Sequence, residues 1–511
     1  MSKKSLITGT LVLTLASLIT RLLGFGFRIY QSNVMGSEGM GLYQLLFTIY
    51  MLLWAASSAG ISLAIAKLTA AQLSRGEEGN TVHILKGSLI ISIPLSLCLS
   101  AIVFLAAPYI AKYYIHEPVT ELSLRILACC IPFMSTACCL RGYFQGHQDM
   151  SITALAQIVE QVARMTAIFV CAGFLVPKGI KYICALGVIG MCAGELFSFI
   201  MSFIAFTIKK HHTVQTPVTL QMSATVKSLL LLAIPIAANK FLTSGLSSYE
   251  NILIPINLQK FGLNSHDAMG MYGEFSGMAQ PLIMFPSMVT SSLATALVPT
   301  IAEAMALKNN HSLQKTIGGA IQFAVLIGVG ATALFLCFPT EIALTCYNKE
   351  SVGILLKWLA IICPFLYLQT ILTGTMNGLG MQKETFKMNL IGSLLCIFVI
   401  VTLVPLKGII GFVIALLFQA GFVCCTLLII ILNYISLRID LINWIIKPII
   451  AGILSSFIAV SFNKHLLAPI FSSVIPSTLL AICVLGIVYL LILLVIGAFP
   501  TAQVKRFLKR A

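Results

Sequence analysis

Apolar runs long enough to cross a bilayer follow one another along nearly the whole chain, separated by short connectors where charges and turn formers collect. A helix rises 1.5 Å per residue, so about 20 apolar residues cross a hydrocarbon core of about 30 Å. On that measure the pattern predicts about 14 spans: 6–30, 40–62, 82–107, 121–141, 151–175, 181–208, 226–257, 273–298, 314–338, 352–374, 386–405, 408–433, 442–462 and 474–498. Pro94, Pro235, Pro281, Pro286 and Pro364 fall inside spans, where a freed carbonyl permits a kink. The expected fold class is an all-α polytopic membrane protein.

Composition agrees. The 511 residues are 59% hydrophobic and 9% charged, against about 25% charged in a soluble domain. A net charge of +16 would suggest nucleic acid in a soluble protein. Here the basic residues are spread singly through short loops, and no nucleic-acid-binding motif accompanies them. They favour one side. With the N-terminus inside, the inner segments hold Lys3, Lys4, Lys67, Arg75, Lys86, Arg141, Lys209, Lys210 and the tail Lys505, Arg506, Lys509 and Arg510; the outer set, such as Lys112, Lys178 and Lys260, is sparser. That bias predicts a plasma-membrane protein with both termini cytoplasmic. Lys3-Lys4 precedes an apolar run that lacks a small-x-small cleavage site, so the first helix is expected to stay as a span. The 15 cysteines lie almost entirely in apolar runs without C-x-x-C spacing, and read as packing residues rather than metal ligands or disulfides.

The chain also repeats itself. Residues 127–146 and 359–378 align without gaps at a shift of 232, pairing Leu127 with Leu359, Ala128 with Ala360, Pro132 with Pro364, Phe133 with Phe365, Leu140 with Leu372, Gly142 with Gly374 and Gly146 with Gly378. Gly39-Met-Gly-Leu-Tyr43 is echoed by Ala268-Met-Gly-Met-Tyr272, and Ser57-Ser58 by Ser291-Ser292. The shift spans six helices, an even number, so the halves share an orientation. The predicted plan is two six-helix lobes related by a pseudo-two-fold axis along the membrane normal, with a cavity between them. Its segments are an N-terminal lobe (1–208), a cytoplasmic linker (209–225), a C-terminal lobe (226–433), two additional helices (434–499) and a basic cytoplasmic tail (500–511). His211-His212 in the linker reads as a solvated pair rather than a metal site.

Charges inside the spans are the candidate chemistry. Arg21 and Arg28 stand seven residues apart, two turns, on one face of the first helix. An arginine at a bilayer centre costs about 2.5–3.5 kcal/mol on insertion scales, so the pair needs a polar cavity to line or an interface to reach. Glu160 and Arg164, at i and i+4, can satisfy each other, and a structural ion pair is the simpler reading there. Glu195, Lys240, Glu250 and Glu274 also fall within spans. At the shift of 229 that relates Gly39 to Ala268, Glu250 occupies the repeat position of Arg21. It either faces the arginines across the lobe interface, pairs with Lys240, or sits at the membrane surface. Arg125 and Lys357 occupy equivalent positions near the outer ends of two helices, as interfacial or gating charges. No Walker A sequence or catalytic constellation is present, so neither an enzyme nor a cofactor is expected. Energy would come from the membrane potential or an ion gradient.

Arg21-Leu-Leu-Gly24-Phe-Gly-Phe-Arg28, the Gly39–Tyr43 loop and Gly60-Ile-Ser-Leu-Ala-Ile-Ala-Lys67 together resemble the multidrug/oligosaccharidyl-lipid/polysaccharide exporter superfamily. The likeness is strongest to the sporulation members of its polysaccharide-transport branch, and it covers nearly the whole chain. One departure is Ser62, where the branch often has proline after the second span. The resemblance implies an undecaprenyl-pyrophosphate-linked saccharide, such as a peptidoglycan precursor for spore cortex, moved outward by alternating access, with the last two helices sheltering the lipid tail. Arg21, Arg28, Lys240 and Glu250 are then the candidate cavity residues. A cation-coupled drug exporter should favour acidic cavity residues, so the first-helix arginines weigh against it. A scaffold recruiting cell-wall synthases is disfavoured by the short loops.

Overall fold

The computed structural model describes residues 3–210, 217–435, 440–471 and 474–498; His211-His212 and the basic tail lie outside the described residues. Those described are helical nearly throughout and include no strand. Thirteen segments are long and apolar enough to cross a membrane. The first of them, Ile19–Ser57, belongs to a run, Lys3–Ser57 (α1), that is really two helices joined at Gly36 (φ 71°, ψ −178°). Only glycine adopts such a backbone without a steric penalty. On a straight helix Arg28 and Gln44 would lie about 24 Å apart, yet their side chains hydrogen-bond at 2.6 Å. The chain therefore doubles back at Gly36. Counted on either side of that break, the run supplies two crossings, for fourteen in all.

Two compact units form. The first holds residues 1–256 and 265–273: α1, α2 (Ala59–Ser74), α3 (Glu78–Tyr109), α4 (Glu121–Gly146), α5 (Met150–Leu175), α6 (Ile180–Lys210), most of α7 (Met222–Lys260) and α8 (Ser265–Gly273). The lobe division read from the repeat starts its second half with α7, whereas α7 up to Ile256 packs with the first unit. The reason is local. Gly60 of α2 leaves no room for a Cβ against the backbone of Ala233. Leu229 and Ala233 then share a buried core with Ile61, Ala64, Ile65, Ile84 and Tyr143. The break between α1 and α2 falls at Ser58 (φ −137°, ψ −34°), and the Ser62 N–H donates to the Ser58 carbonyl at 3.3 Å, a bond that proline at 62 would lack.

The second unit holds the described residues of 257–264 and 274–498. It comprises α9 (Gln280–Met284), α10 (Ser287–Ala306), α11 (Asn310–Cys337), α12 (Pro339–Tyr347), α13 (Glu350–Leu359), α14 (Cys363–Gly378), α15 (Gln382–Lys407), α16 (Ile409–Ile435), α17 (Lys447–Phe462), α18 (Ala468–Ile470) and α19 (Val474–Val495). Wide π-helical turns at Glu274–Ala279 precede α9, and a 3-10 turn at Ala360–Ile362 precedes Pro364, so irregular helix sits next to proline in both places. The final helices dock on α11: the Tyr489 hydroxyl donates to the Leu326 carbonyl at 2.8 Å, and Gly330 makes room for the same ring.

The repeat is visible as packing inside each unit. In the first, a Cβ on Gly142 would lie 2.6 Å from the Ser62 carbonyl oxygen, and one on Gly146 2.6 Å from Cβ of Thr69. In the second, a Cβ on Gly374 would lie 2.7 Å from the Ala294 carbonyl oxygen, and one on Gly378 2.9 Å from Cβ of Ile301. Both members of each pair differ by 232 positions. The same shift relates the Ser100 hydroxyl bonded to the Ala128 carbonyl (2.7 Å) to the Thr332 hydroxyl bonded to the Ala360 carbonyl (2.9 Å). Two units thus use one set of helix crossings with different side chains. Overpacking a crossing costs about 1–3 kcal/mol. Gly142→Ala and Gly374→Ala should each lower stability by about that amount in detergent unfolding curves. Gly173→Ala, where nothing lies within 4 Å, should not.

Candidate functional site

Within the first unit, α1, α2, α4, α5 and α6 surround a cavity of about 550 Å³, whose lining includes Tyr50, Trp54, Ser62, Arg141, Gln145, Thr153, Gln157, Glu160 and Glu195. Helical spacing puts these residues there. Thr153, Gln157, Glu160 and Arg164 follow one another at intervals of four, three and four, a polar stripe along one face of α5. Arg141 and Gln145 stand one turn apart on α4, and Tyr50 and Trp54 one turn apart on α1.

Four ionisable side chains meet at the cavity. Arg164 Nη2 lies 2.9 Å from Glu160 Oε1, and Arg141 Nη1 lies 3.3 Å from Glu160 Oε2. Arg141 Nη2 lies 3.9 Å from Glu195 Oε2, and Nη1 approaches the Ser198 hydroxyl at 3.5 Å. The Tyr50 hydroxyl donates to Glu195 Oε1. Glu195 is only 2% exposed, and Arg141, Glu160 and Arg164 are each below 20%. Two guanidiniums face two carboxylates, so the formal charge is zero. Gly194 permits the close approach of α6 to α5: a Cβ there would stand 2.9 Å from the Glu160 carbonyl oxygen.

The second unit supplies an internal control. Gly392 lies 232 positions after Glu160, as the start of α15 lies after that of α5, and packs on Val423, which lies 229 positions after Gly194, as the start of α16 lies after that of α6, so the contact is preserved with glycine on the other helix. By the same registers Thr373 stands for Arg141, Cys396 for Arg164 and Cys424 for Glu195. None of the four charges is repeated. The fold can therefore be built without them.

Arg141 is a correction to the sequence reading, which ended the fourth span at residue 141 and placed this arginine in an inner loop. The helix instead runs on to Gly146, because Gly142 and Gly146 hold its last turns against α2. Charge counting gave no hint of it, since Arg21, Arg28, Arg164 and Lys240 already balance Glu160, Glu195, Glu250 and Glu274 within the spans.

The other predicted residues are dispersed. Arg28 is half-buried, its Nη2 donating to Gln44 Oε1 at 2.6 Å and its guanidinium 5.5 Å from the centre of the Tyr43 ring. Arg21 is exposed. Gly24, between them, lies against the Gln161 side chain, tying the first half of α1 to α5. Lys240 is exposed and Glu250 half-buried, both on α7. They lie about 15 Å apart along that helix, too far to pair, and Glu250 shares a unit with Arg21 instead of facing it from the other. Arg125 pairs with Glu121 at 2.7 Å and lies over the Phe104 ring, while Lys357 is exposed in the last turn of α13. In the second unit, Lys349 lies 3.2 Å from Glu274.

Removing one member of a buried ion pair costs about 3–5 kcal/mol, because the partner charge is left uncompensated. Arg141→Leu should lower stability by about that amount in detergent unfolding. The combined change Tyr50→Phe, Arg141→Leu and Glu195→Leu leaves Glu160 and Arg164 balanced, and should recover most of the loss.

A model of the polysaccharide biosynthesis protein family matches residues 6–305, and one named MatE matches residues 276–402. Stage V sporulation protein B of Bacillus subtilis (strain 168) is 31% identical over 434 residues, covering 84% of this chain and 83% of that protein. Lipid II flippase MurJ of the same strain is 24% identical over 453 residues, 81% of this chain and 80% of that one. A structure of lipid II flippase MurJ in an inward closed conformation shares the fold, with a TM-score of 0.70 at 15% identity over 94% of this chain and 98% of that one. The chain therefore belongs to the polysaccharide biosynthesis protein family.

Proposed function

We propose that this protein moves an undecaprenyl-pyrophosphate-linked saccharide, a peptidoglycan precursor or polysaccharide unit, from the inner to the outer leaflet of the plasma membrane by alternating access. The observation that carries the proposal is Arg28, a guanidinium held half-buried in an apolar helix by Gln44 and Tyr43. The first 37 residues contain Lys3, Lys4, Arg21 and Arg28 and no acid. A pyrophosphate calls for cationic, multidentate donors in a poorly hydrated place, and arginine supplies them. The names of the relatives, a sporulation protein and a lipid II flippase, support a lipid-linked cargo for cell-wall assembly.

With both termini inside, an inside-negative potential helps. Carrying about two negative charges outward gains about 4–5 kcal/mol per 100 mV. In this reading the last two helices shelter the lipid tail.

A hydrogen bond to a charged group is worth about 1.5–3 kcal/mol, roughly a tenfold to hundredfold effect. Arg28→Ala and Arg21→Ala should slow flipping of a lipid-linked saccharide in reconstituted vesicles by at least tenfold, with near-normal expression. An imposed inside-negative potential should speed the wild type. Wild-type rates in both variants would remove the mechanism, and dye efflux without lipid movement would favour a drug exporter.

A further inference from the structure

We propose that the cavity of the first unit receives the saccharide portion of the cargo as an uncharged, hydroxyl-rich group, with Trp54, Gln145 and Gln157 as its recognition residues. The inference rests on the flippase reading above and assigns this cavity a task separate from that of the first-helix arginines.

Charge comes first. The lining carries Arg141, Glu160 and Glu195, and Arg164, not itself a lining residue, pairs with Glu160 at 2.9 Å, so the cluster at the wall is neutral in sum. An incoming phosphate would approach Glu160 and Glu195 along with Arg141, and an incoming cation would approach Arg141 along with the carboxylates. Attraction and repulsion offset each other at these short distances. A neutral polar ligand meets no such opposition.

Hydrogen-bonding capacity comes second. Glu195 is 98% buried by its 2% exposure, and its Oε2 has no hydrogen-bond donor among the described residues. The buried Thr153 hydroxyl has no partner among them either. Both residues line the cavity. A carboxylate oxygen accepts hydroxyl protons, and a threonine hydroxyl accepts or donates. Gln145 and Gln157 add amides that do both, and each is half-buried at the wall. Beside them Trp54 offers a flat apolar face. A sugar ring has the complementary surface: C–H groups across a face and hydroxyls around the rim. Polar groups converging within an otherwise apolar wall are the ordinary form of a small-ligand site.

The repeat comes third. Thr373, Gly392, Cys396 and Cys424 replace the four charges in the second unit, so helix packing does not demand the charges, while Asn377, Asn389 and Thr385 keep polar groups at the repeat positions of Gln145, Gln157 and Thr153. Something other than the fold accounts for the charges.

Trp54 makes the test direct, because the chain has three tryptophans, Trp54, Trp358 and Trp444. In a Trp358→Phe, Trp444→Phe background that flips lipid as the wild type does, Trp54 is the single reporter. The purified protein would be titrated with glucose, N-acetylglucosamine and its disaccharide, with sodium chloride, and with undecaprenyl pyrophosphate lacking a sugar. The expected result is a saturable fluorescence change with at least one saccharide, weakened at least tenfold by Gln157→Leu and by Gln145→Leu. A response to sodium alone, a response only to the sugar-free pyrophosphate lipid, or no response to any saccharide overturns the inference. In vesicles, wild-type flipping by both glutamine variants also overturns it while leaving the flippase reading intact. A wild-type protein that flips no lipid-linked saccharide sinks that reading, whereas the titration still decides what the cavity holds.

Discussion

A charge taken out of water must find an opposite charge, and the centre of the first unit is built around that requirement. Arg141, Glu160, Arg164 and Glu195 come from three different helices, so satisfying them fixes how α4, α5 and α6 stand relative to one another. The Tyr50 hydroxyl extends the network to α1. Such an arrangement is weak support for stability, because well-packed apolar residues would serve as well or better. The second unit uses that apolar alternative, with Cys396 and Cys424 buried where Arg164 and Glu195 stand in the first. The cluster is better understood as a specification of geometry and of cavity chemistry than as a source of folding energy.

The two sets of arginines therefore differ in kind. Those of the cluster are balanced by Glu160 and Glu195 and nearly buried, and of the two only Arg141 lines the cavity. Those of the first helix belong to a segment without acids, and Arg28 is oriented by an amide and an aromatic ring. The guanidinium lies 5.5 Å from the centre of the Tyr43 ring, within the range of cation–π attraction. The first helix and the cluster are nonetheless linked, since Gly24 brings α1 against α5 at Gln161. A ligand engaging both would bridge a cationic region and a neutral polar one, which is the charge pattern of a pyrophosphate joined to a sugar.

The parts legible in the sequence are those set by length and period. Spans follow from the thickness of a bilayer, and the repeat follows from glycines that recur because helix crossings leave no room for a Cβ. The Glu160–Arg164 proximity follows from one turn of helix. What could not be read depends on tertiary packing. Arg141 looked like a loop residue because hydropathy falls at it, and only the docking of Gly142 and Gly146 on α2 carries the helix past it. The membership of α7 was hidden for a related reason: repeat arithmetic assigns it by sequence order, while the Gly60 contact with Ala233 assigns it by space. The hairpin at Gly36, by contrast, was legible, because it falls in the polar connector 31–39 between the first two predicted spans.

The repeat also explains how one half of such a protein can acquire a site that the other lacks. The crossings are made by backbone and glycine: Gly142 on Ser62 and Gly374 on Ala294, Gly194 on Glu160 and Val423 on Gly392. A crossing that depends on the absence of a side chain on one helix puts few demands on the side chains around it. In the Gly194 and Gly392 pair the glycine has even changed helices, and the approach is kept. Positions beside such crossings are then free to vary in polarity without moving the helices. Both units keep amides there, Gln145 and Gln157 in the first and Asn377 and Asn389 in the second, but only the first adds the four charges, so function can diverge between halves whose architecture is held constant.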